Sequence, residues 1–516
     1  MKRHFLYAPL VGDRHSRELR VTPSVSAGTL PTRPQFLVIL VYIASNIAYC
    51  LAVPEEETAQ RFAELRGRCG ALAVFNLIIT VLFALRNNPL IWILGVSYDT
   101  FNLFHRWAAR LVILESIAHV FAFMYNTYRV TYQGQSGWNS VKWVIEQSVS
   151  YRWGLAGFIG FVFLLLQSLG PLRRAFYDTF LTLHRVGIAV AISGAYFHMA
   201  NHALPQLPWA YLCLTLLALE PAVRIGRVVY YNFAWRQRTW TRVTLEALPG
   251  EATRVTFSLP RSWNVKSGSH IYVYLPRIAP LSLHPFSIAW HSSSGYSELD
   301  SEKLPLSVDD LKMQNGLSTI ACIIRARTGM TRSLYNRALK TKADHVELWG
   351  AVEGPYGAIH SLDSYGTAVL FAAGAGITHQ LSFVRHLLAG YIHNTSATRR
   401  ILLVWCIPSI ECVEWIHPWL EELAVMSDCN DIVQVQLYVS RSTPQASESL
   451  PLPLEAQIYT QRCDPQKIVD DQILAQVGAM AVTVCGPGGF NDSVRAAVRR
   501  RVGLRSIDFF EEAFSS

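Results

Sequence analysis

At 516 residues the chain has room for about three or four domains, and a composition of 51% hydrophobic and 16% charged residues is too apolar for a wholly soluble or disordered protein. Mean hydropathy is only +0.21, so part of the chain is expected in a membrane and part in water. The formal net charge of +9 is scattered or flanks apolar runs, and no motif supports nucleic-acid binding; the nine cysteines never come closer than six positions, which excludes a CxxC site and a secreted disulfide framework.

Residues 1–33 are a polar tail with six Lys/Arg and no signal-peptide pattern, and the first uncharged run, Pro34 to Pro54, is long enough to cross a bilayer. Further uncharged runs lie at Cys69 to Leu85, Trp153 to Leu172 and Val186 to Leu219, the last divided by Pro205 and Pro208 into two spans. The third span, about Thr100 to Asn126, carries Arg106, Arg110, Glu115, His105 and His119, and ionisable groups at membrane depth are costly and usually functional. Asn87 to Tyr98 is too short to cross and reads as an interfacial connection. The Lys/Arg of the tail, of Arg86, of Arg173/Arg174 and of Arg224 to Arg242 outnumber those of the opposite loops, which predicts six crossings with both termini in the cytosol.

His105 and His119 on the third span are fourteen residues apart, as are His184 and His198 on the fifth. At about 100° and 1.5 Å per residue, fourteen steps end roughly 40° short of four turns and about 21 Å further along. Each helix therefore presents one imidazole near each membrane surface, with His105 level with His184 and His119 level with His198. Facing imidazoles at two depths predict two bis-histidine b-type haems, whose filled axial positions suit electron transfer. Gly187, Gly194 and Ala195 would let a flat macrocycle approach. His202 breaks the spacing and reads as a loop residue. Arg106, Arg110 and Arg185 offer charge either to haem propionates or, by snorkelling, to Glu115.

After Arg227 the pattern becomes short alternating stretches, such as Thr239 to Leu245, Ala252 to Leu259 and His270 to Leu275, with turns at Pro249-Gly250 and Lys266-Ser267-Gly268; this predicts an antiparallel barrel or sandwich. Beyond Ala358 come an apolar strand (Ala368 to Ala373), a glycine turn, a helix (Leu381 to Ala389) and a second strand (Ile401 to Cys406), the order of a doubly wound nucleotide-binding domain. The turn Gly374-Ala-Gly376-Ile377-Thr378 is placed to cradle a pyrophosphate at a helix N-terminus. The strand Ala479 to Val484 ends at Cys485-Gly486-Pro487, at the edge where such sheets bind ligands. Ser440 and Arg441, at a third strand end, suit a 2′-phosphate and so NADPH. The Ser/Pro-rich stretch Ser442 to Pro453 reads as a surface insertion.

Taken in order, the two histidine pairs, His284-Pro285-Phe286-Ser287, Glu353-Gly-Pro-Tyr-Gly357, Gly374 to Thr378 and Cys485-Gly486-Pro487 resemble the ferric reductase and NADPH oxidase superfamily. Within it, Arg86-Asn-Asn-Pro-Leu and Ser97-Tyr-Asp-Thr-Phe-Asn-Leu-Phe-His105-Arg-Trp107 are most similar to the fungal plasma-membrane metalloreductases. The resemblance implies a six-helix haem-binding domain over 34–228, an FAD-binding antiparallel β-barrel over 229–358 and a Rossmann-like NAD(P)H-binding α/β domain over 359–516. It implies that His284 to Ser287 lines the flavin, that Arg325, Gly329 and Thr331 approach the FAD phosphates, and that Phe514 covers the flavin. Gly374 to Thr378 and Cys485 to Pro487 would bracket NADPH. The implied acceptor across the lipid bilayer is a ferric chelate, with cupric ions a further candidate and oxygen, giving superoxide, the alternative.

Overall fold

The computed structural model describes residues 2–16, 19–20, 26–54, 56–280, 283–292, 318–340, 346–426, 432–441, 454, 456–503 and 505–512. The chain divides into two compact units, Leu19–Val223 and a second made of Met1–Glu18 with Arg224–Ser516.

The first unit is helical because apolar runs in lipid must satisfy every backbone polar group within the segment. Its helices are α1 (Arg33–Leu51), α2 (Thr58–Ala84), α3 (Pro89–Leu94), α4 (Tyr98–Tyr128), α5 (Trp138–Gln147), α6 (Val149–Gln167), α7 (Gly170–Ala175) and α8 (Tyr177–Asn201), and α9 (Leu207–Asn232) runs on into the second unit. Among the described residues five helices, α1, α2, α4, α6 and α8, are long and apolar enough to cross a membrane. The sixth expected span corresponds to α9, which is 26 residues long but carries Glu220, Pro221, Arg224 and Arg227 in its second half. These polar groups are why its apolar stretch falls short.

Leu77 and Val81 of α2, Val112 of α4, Ile192 of α8 and Cys213 of α9 form the buried core of the bundle. Val41, Leu114, Phe121 and Ile159 face outward and exposed, as side chains covered by lipid would. Helices α6 and α8 approach through glycines: a Cβ on Gly194 would lie 2.4 Å from the Gly157 nitrogen, and one on Gly187 would meet Leu164 and Phe163. Gly187 and Gly194 thus serve helix packing against α6, which corrects the expectation that they make room for a macrocycle.

In the second unit, residues 242–357 form two antiparallel sheets. One runs in the order Val346–Trp349, Arg242–Leu248, Ala252–Leu259, Ser318–Arg325, Trp290–Ser292, and the other in the order Ala351–Gly357, Ser269–Tyr274, His284–Ser287. Val243, Phe257 and Ile320 from the first and Ile271, Val273 and Val352 from the second share one core. The chain passes between the sheets just after Ser287, where the Ile288 amide donates to Ser269 and the Ala289 amide to Ala321.

Residues 367–512 build a six-stranded parallel sheet in the order Ala456–Tyr459, Val433–Val439, Arg400–Ile407, Thr367–Ala373, Met480–Cys485, Ile507–Glu512. Its central strands are buried along their length, which explains their unbroken apolar sequences. The order reverses between Thr367–Ala373 and Met480–Cys485, and a crevice at that switch point is where ligands of such sheets bind.

One buried ion pair anchors the start of this unit. Arg224, near the end of α9, donates through Nε (2.8 Å) and Nη2 (2.9 Å) to the two oxygens of Glu353, and the hydroxyls of Tyr274 and Tyr356 each donate to the same carboxylate at 2.7 Å. Removing one member of such a pair strands the other charge and costs about 3–5 kcal/mol. Glu353→Gln is therefore expected to lower the melting temperature of the detergent-solubilised protein, followed by tryptophan fluorescence. Arg332→Ala, which deletes the exposed pair with Glu251, is expected to leave it nearly unchanged; equal shifts would count against the anchor.

Candidate functional site

Four imidazoles project between α4 and α8 in two pairs. The ring centres of His105 and His184 are 6.5 Å apart, and those of His119 and His198 are 6.2 Å apart. Two metal–nitrogen bonds of about 2 Å each, plus the half-widths of two imidazoles, give a separation of roughly 6 Å. Each pair thus has the spacing of two ligands on one metal ion.

The second nitrogen of each ring is held from behind. His105 Nδ1 lies 2.8 Å from the Thr80 carbonyl, His119 Nδ1 2.8 Å from the Arg66 carbonyl and His198 Nδ1 3.0 Å from the Ser150 carbonyl. A carbonyl oxygen can only accept, so in these three rings Nδ1 carries the proton and Nε2 keeps its lone pair, as a metal ligand requires. His184 Nδ1 is 2.7 Å from the Gln167 side-chain amide, whose Oε1 is otherwise buried without a partner; with that oxygen turned to the ring, His184 is held in the same way. The backing helices are α2 for the α4 pair and α6 for the α8 pair, and Arg66 and Thr80 are themselves fourteen residues apart. Helix α2 also needs a glycine here: a Cβ on Gly70 would stand 2.7 Å from His119 Nδ1, and one on Gly154 of α6 2.9 Å from His198 Nδ1. Sequence reasoning missed this backing set, although the repeated spacing of Arg66 and Thr80 was there to find it.

Between the two histidines of α4 sits Glu115, buried. Asn76 Nδ2 donates to both its oxygens (2.8 and 3.0 Å) and to Asn46 Oδ1 (2.7 Å), and the Tyr42 hydroxyl donates to Asn76 Oδ1 (2.6 Å). The structure thus gives Glu115 an amide partner in place of the suggested arginines. The Arg110 guanidinium lies over the Trp107 ring, 4.8 Å from its centre. His202 caps the end of α8, outside the paired positions.

In the second unit the sequence motifs converge through the strand Ser269–Tyr274. Glu353 to Gly357 pairs along one side of it and His284 to Ser287 along the other, with His270 opposite Ser287. The loop leading into that strand touches the helix that follows the glycine turn: the Gly268 amide donates to Ser382 Oγ (3.0 Å) and Ser267 Oγ donates to the Ser382 carbonyl (3.1 Å). His379 of the same helix (Ile377–Ile392) is buried, and burial lowers its pKa to about 4, so it stays neutral. Gly329 opens the helix Met330–Leu339 with φ +59°, and Thr331 Oγ1 accepts from the Arg327 amide (2.9 Å); Arg325 stands exposed at the end of its strand. Phe514 lies outside the described residues, as does the Ser442 to Pro453 stretch.

The two glycine turns meet at the switch point. A Cβ on Gly376 would fall 2.1 Å from the Cys485 carbonyl oxygen, so only glycine lets Gly374 to Thr378 lie against Cys485 to Pro487. Gly374 takes φ +55° and its carbonyl accepts from Trp405 Nε1 (3.0 Å), while Gln380 bonds both the Phe371 carbonyl (3.0 Å) and Thr483 Oγ1 (2.7 Å). Trp405 and Gln380 were invisible as site residues in the sequence because both read as ordinary core or helix positions. Ser440 and Arg441 end a strand two places along the same edge, exposed, their amides bonded to Ile407 and Pro408.

Comparison with known proteins places three family models along the chain: "Ferric reductase like transmembrane component" over residues 69–195, "FAD-binding domain" over 237–308 and "Ferric reductase NAD binding domain" over 365–499. Ferric reductase transmembrane component 3 and ferric/cupric reductase transmembrane component 2 of Saccharomyces cerevisiae are each 24% identical over 99% of this chain and 71% of their own length. Ferric/cupric reductase transmembrane component 1 of Candida albicans is 26% identical over 80% of this chain and 49% of its own.

Gly376→Ala is expected to force the two turns apart and to slow flavin reduction by a nicotinamide nucleotide by about tenfold or more at limiting nucleotide. Stopped-flow absorbance reads this directly. Gly226→Ala, a position with open space around it, is the control and is expected to behave as wild type; an unimpaired Gly376→Ala would remove the role given to that contact.

Proposed function

Because this chain belongs to the ferric reductase family, we propose that it is an integral-membrane oxidoreductase that carries electrons from cytosolic NADPH, by way of FAD and two b-type haems, to a ferric chelate on the other side. The paired imidazoles carry this reading: two rings at metal-ligand spacing, twice, at two depths of one bundle. The proposal includes α9 as a sixth crossing, closure of the two antiparallel sheets into a flavin-domain barrel, both termini in the cytosol and residence in the plasma membrane. The alternative of oxygen reduction to superoxide is set aside, since the relatives matched along nearly the whole chain are named for ferric and cupric reduction. Cupric ions stay in the proposal as a second acceptor.

When bound, FAD would supply the exchange between two-electron and one-electron transfer, and the haems would supply one-electron relay. The protein's part is binding, orientation and insulation. His105 with His184, and His119 with His198, would hold the haem irons through Nε2, each ring fixed by its Nδ1 partner. Gly374, Gly376, Ile377 and Thr378 would present amides to the NADPH pyrophosphate at the start of their helix, with Cys485, Gly486 and Pro487 closing the other side. Ser440 and Arg441 would select the 2′-phosphate. His284, Pro285, Phe286 and Ser287 would line the flavin, and Arg325, Gly329 and Thr331 would receive its phosphates. Phe514 is proposed as the ring over the flavin. The apolar bundle would keep water from the path.

His119→Leu is expected to halve the haem content read from the reduced-minus-oxidised spectrum, to leave NADPH-driven flavin reduction intact, and to abolish ferric-chelate reduction by proteoliposomes supplied with NADPH on the cytosolic face. Wild-type reduction should be insensitive to superoxide dismutase. Electron flow surviving His119→Leu would overturn the ligand assignment, and inhibition by the dismutase would restore oxygen as the acceptor.

A further inference from the structure

Residues 2–16, read in the sequence as part of a solvated tail, are strapped onto the nucleotide domain. Lys2 Nζ pairs with Asp508 Oδ1 (2.5 Å), to which the Tyr7 hydroxyl also donates (2.9 Å), and the Tyr7 ring stands edge-on to Phe509, 6.0 Å between centres. Asp13 pairs with Arg499 (2.9 Å). The backbone amides of His15 and Ser16 both donate to Asp492 Oδ1 (2.9 and 2.8 Å), and the Ser16 hydroxyl donates to Glu511. Asp508, Phe509 and Glu511 belong to the last strand, and Asp492, Arg495 and Arg499 to the helix Gly488–Arg501 that begins directly after Cys485-Gly486-Pro487. The strap therefore clamps the edge strand, which pairs with Met480–Cys485, to the helix that begins at the switch point.

The end of the clamp is its most charged part. Glu511 is nearly enclosed, held by Ser16, by Asn491 Nδ2 (3.1 Å) and by Arg495. Burial, the largest single influence, would raise its carboxyl, but the Arg495 guanidinium, the Ser16 hydroxyl and His15 together outweigh that and keep it ionised. Ser16 thus sits between two carboxylates, one taking its hydroxyl and the other its amide, in the basic sequence Arg14-His15-Ser16-Arg17.

We propose that Ser16 is a phosphorylation site whose modification releases the strap and loosens the NADPH edge. A kinase that reads basic sequences would transfer the γ-phosphoryl of a nucleoside triphosphate to Ser16 Oγ; the new O–P bond replaces the β,γ P–O bond, the diphosphate leaves and the hydroxyl proton goes to solvent. The product puts a charge of about −2 where a donor stood, against Asp492 and Glu511, and like charges at that range repel. The effect on NADPH rests on the nucleotide site proposed above; release of the strap does not.

The test uses full-length, cofactor-loaded protein in detergent. After treatment with a purified basophilic kinase and ATP, mass spectrometry should find phosphate on Ser16. Trypsin should cut after Arg14 about tenfold faster in Ser16→Glu and in Asp492→Ala than in wild type, and Ser16→Ala should stay within about threefold. In the two released variants KM for NADPH should rise about three- to tenfold with the haem spectrum unchanged. No phosphate on Ser16, cleavage of Ser16→Glu at the wild-type rate, or slower cleavage through a new pairing with Arg495 would each overturn the proposal. If wild-type flavin is not reduced by NADPH, the nucleotide reading fails, while the trypsin comparison still decides the strap.

Discussion

An imidazole at membrane depth has two nitrogens to satisfy and no water with which to do it, and everything in the helical unit follows from how this bundle divides them. One nitrogen is given to the protein: Thr80, Arg66, Ser150 and Gln167 each take a Nδ1. The other is turned inward, toward its opposite number on the facing helix. Two rings sharing a proton would stand about 2.9 Å apart nitrogen to nitrogen and roughly 5 Å apart centre to centre, closer than the 6.5 and 6.2 Å of these pairs. The metal ion proposed between them would take up both lone pairs. The glycines at 70 and 154 belong to the same arrangement, since any side chain there would push the His119 and His198 rings off their carbonyls.

The nucleotide domain solves a different problem by the same means, namely the close approach of backbone. The turn at Gly376 touches the Cys485 carbonyl, so the two strand ends that face each other across the switch point share one wall. Trp405 and Gln380 fix that wall from within the core, through the Gly374 and Phe371 carbonyls.

Much of this was legible in the sequence, and the reason is periodicity. Fourteen residues is close to a whole number of helical turns, so His105, His119, His184 and His198 announced both their facing and their heights. Strand, glycine turn and helix around Gly374 are local in sequence and were readable for the same reason. What escaped was non-local. Gly187 and Gly194 lie next to the histidines in the chain, yet α6 occupies the face they present, and only packing decides that. The second half of α9 leaves the apolar regime where Glu220 takes the Arg86 and Asn87 amides and Arg224 meets Glu353, partners 129 to 134 positions away. The strap of residues 2–16 was hidden more deeply still, since its partners lie at 492–511, and a polar tail carries no pattern that names them.

Two of the buried carboxylates, Glu353 and Glu115, show how the fold assigns charge. Glu353 is met by a guanidinium and two phenols, a set of donors that matches an ionised carboxylate with a counter-charge in place, and it stands where α9 gives way to the antiparallel sheets. Glu115 is met by the Asn76 amide, backed by Asn46 and Tyr42, with neutral groups throughout, and it stands between the two histidine levels of α4. Burying an ion pair is tolerable when every lone pair is used, whereas a carboxyl surrounded only by neutral donors at membrane depth is held by hydrogen bonding alone. The first arrangement suits a permanent joint. The second places a buried carboxyl between the two imidazole pairs, with no positive charge among its hydrogen-bond partners.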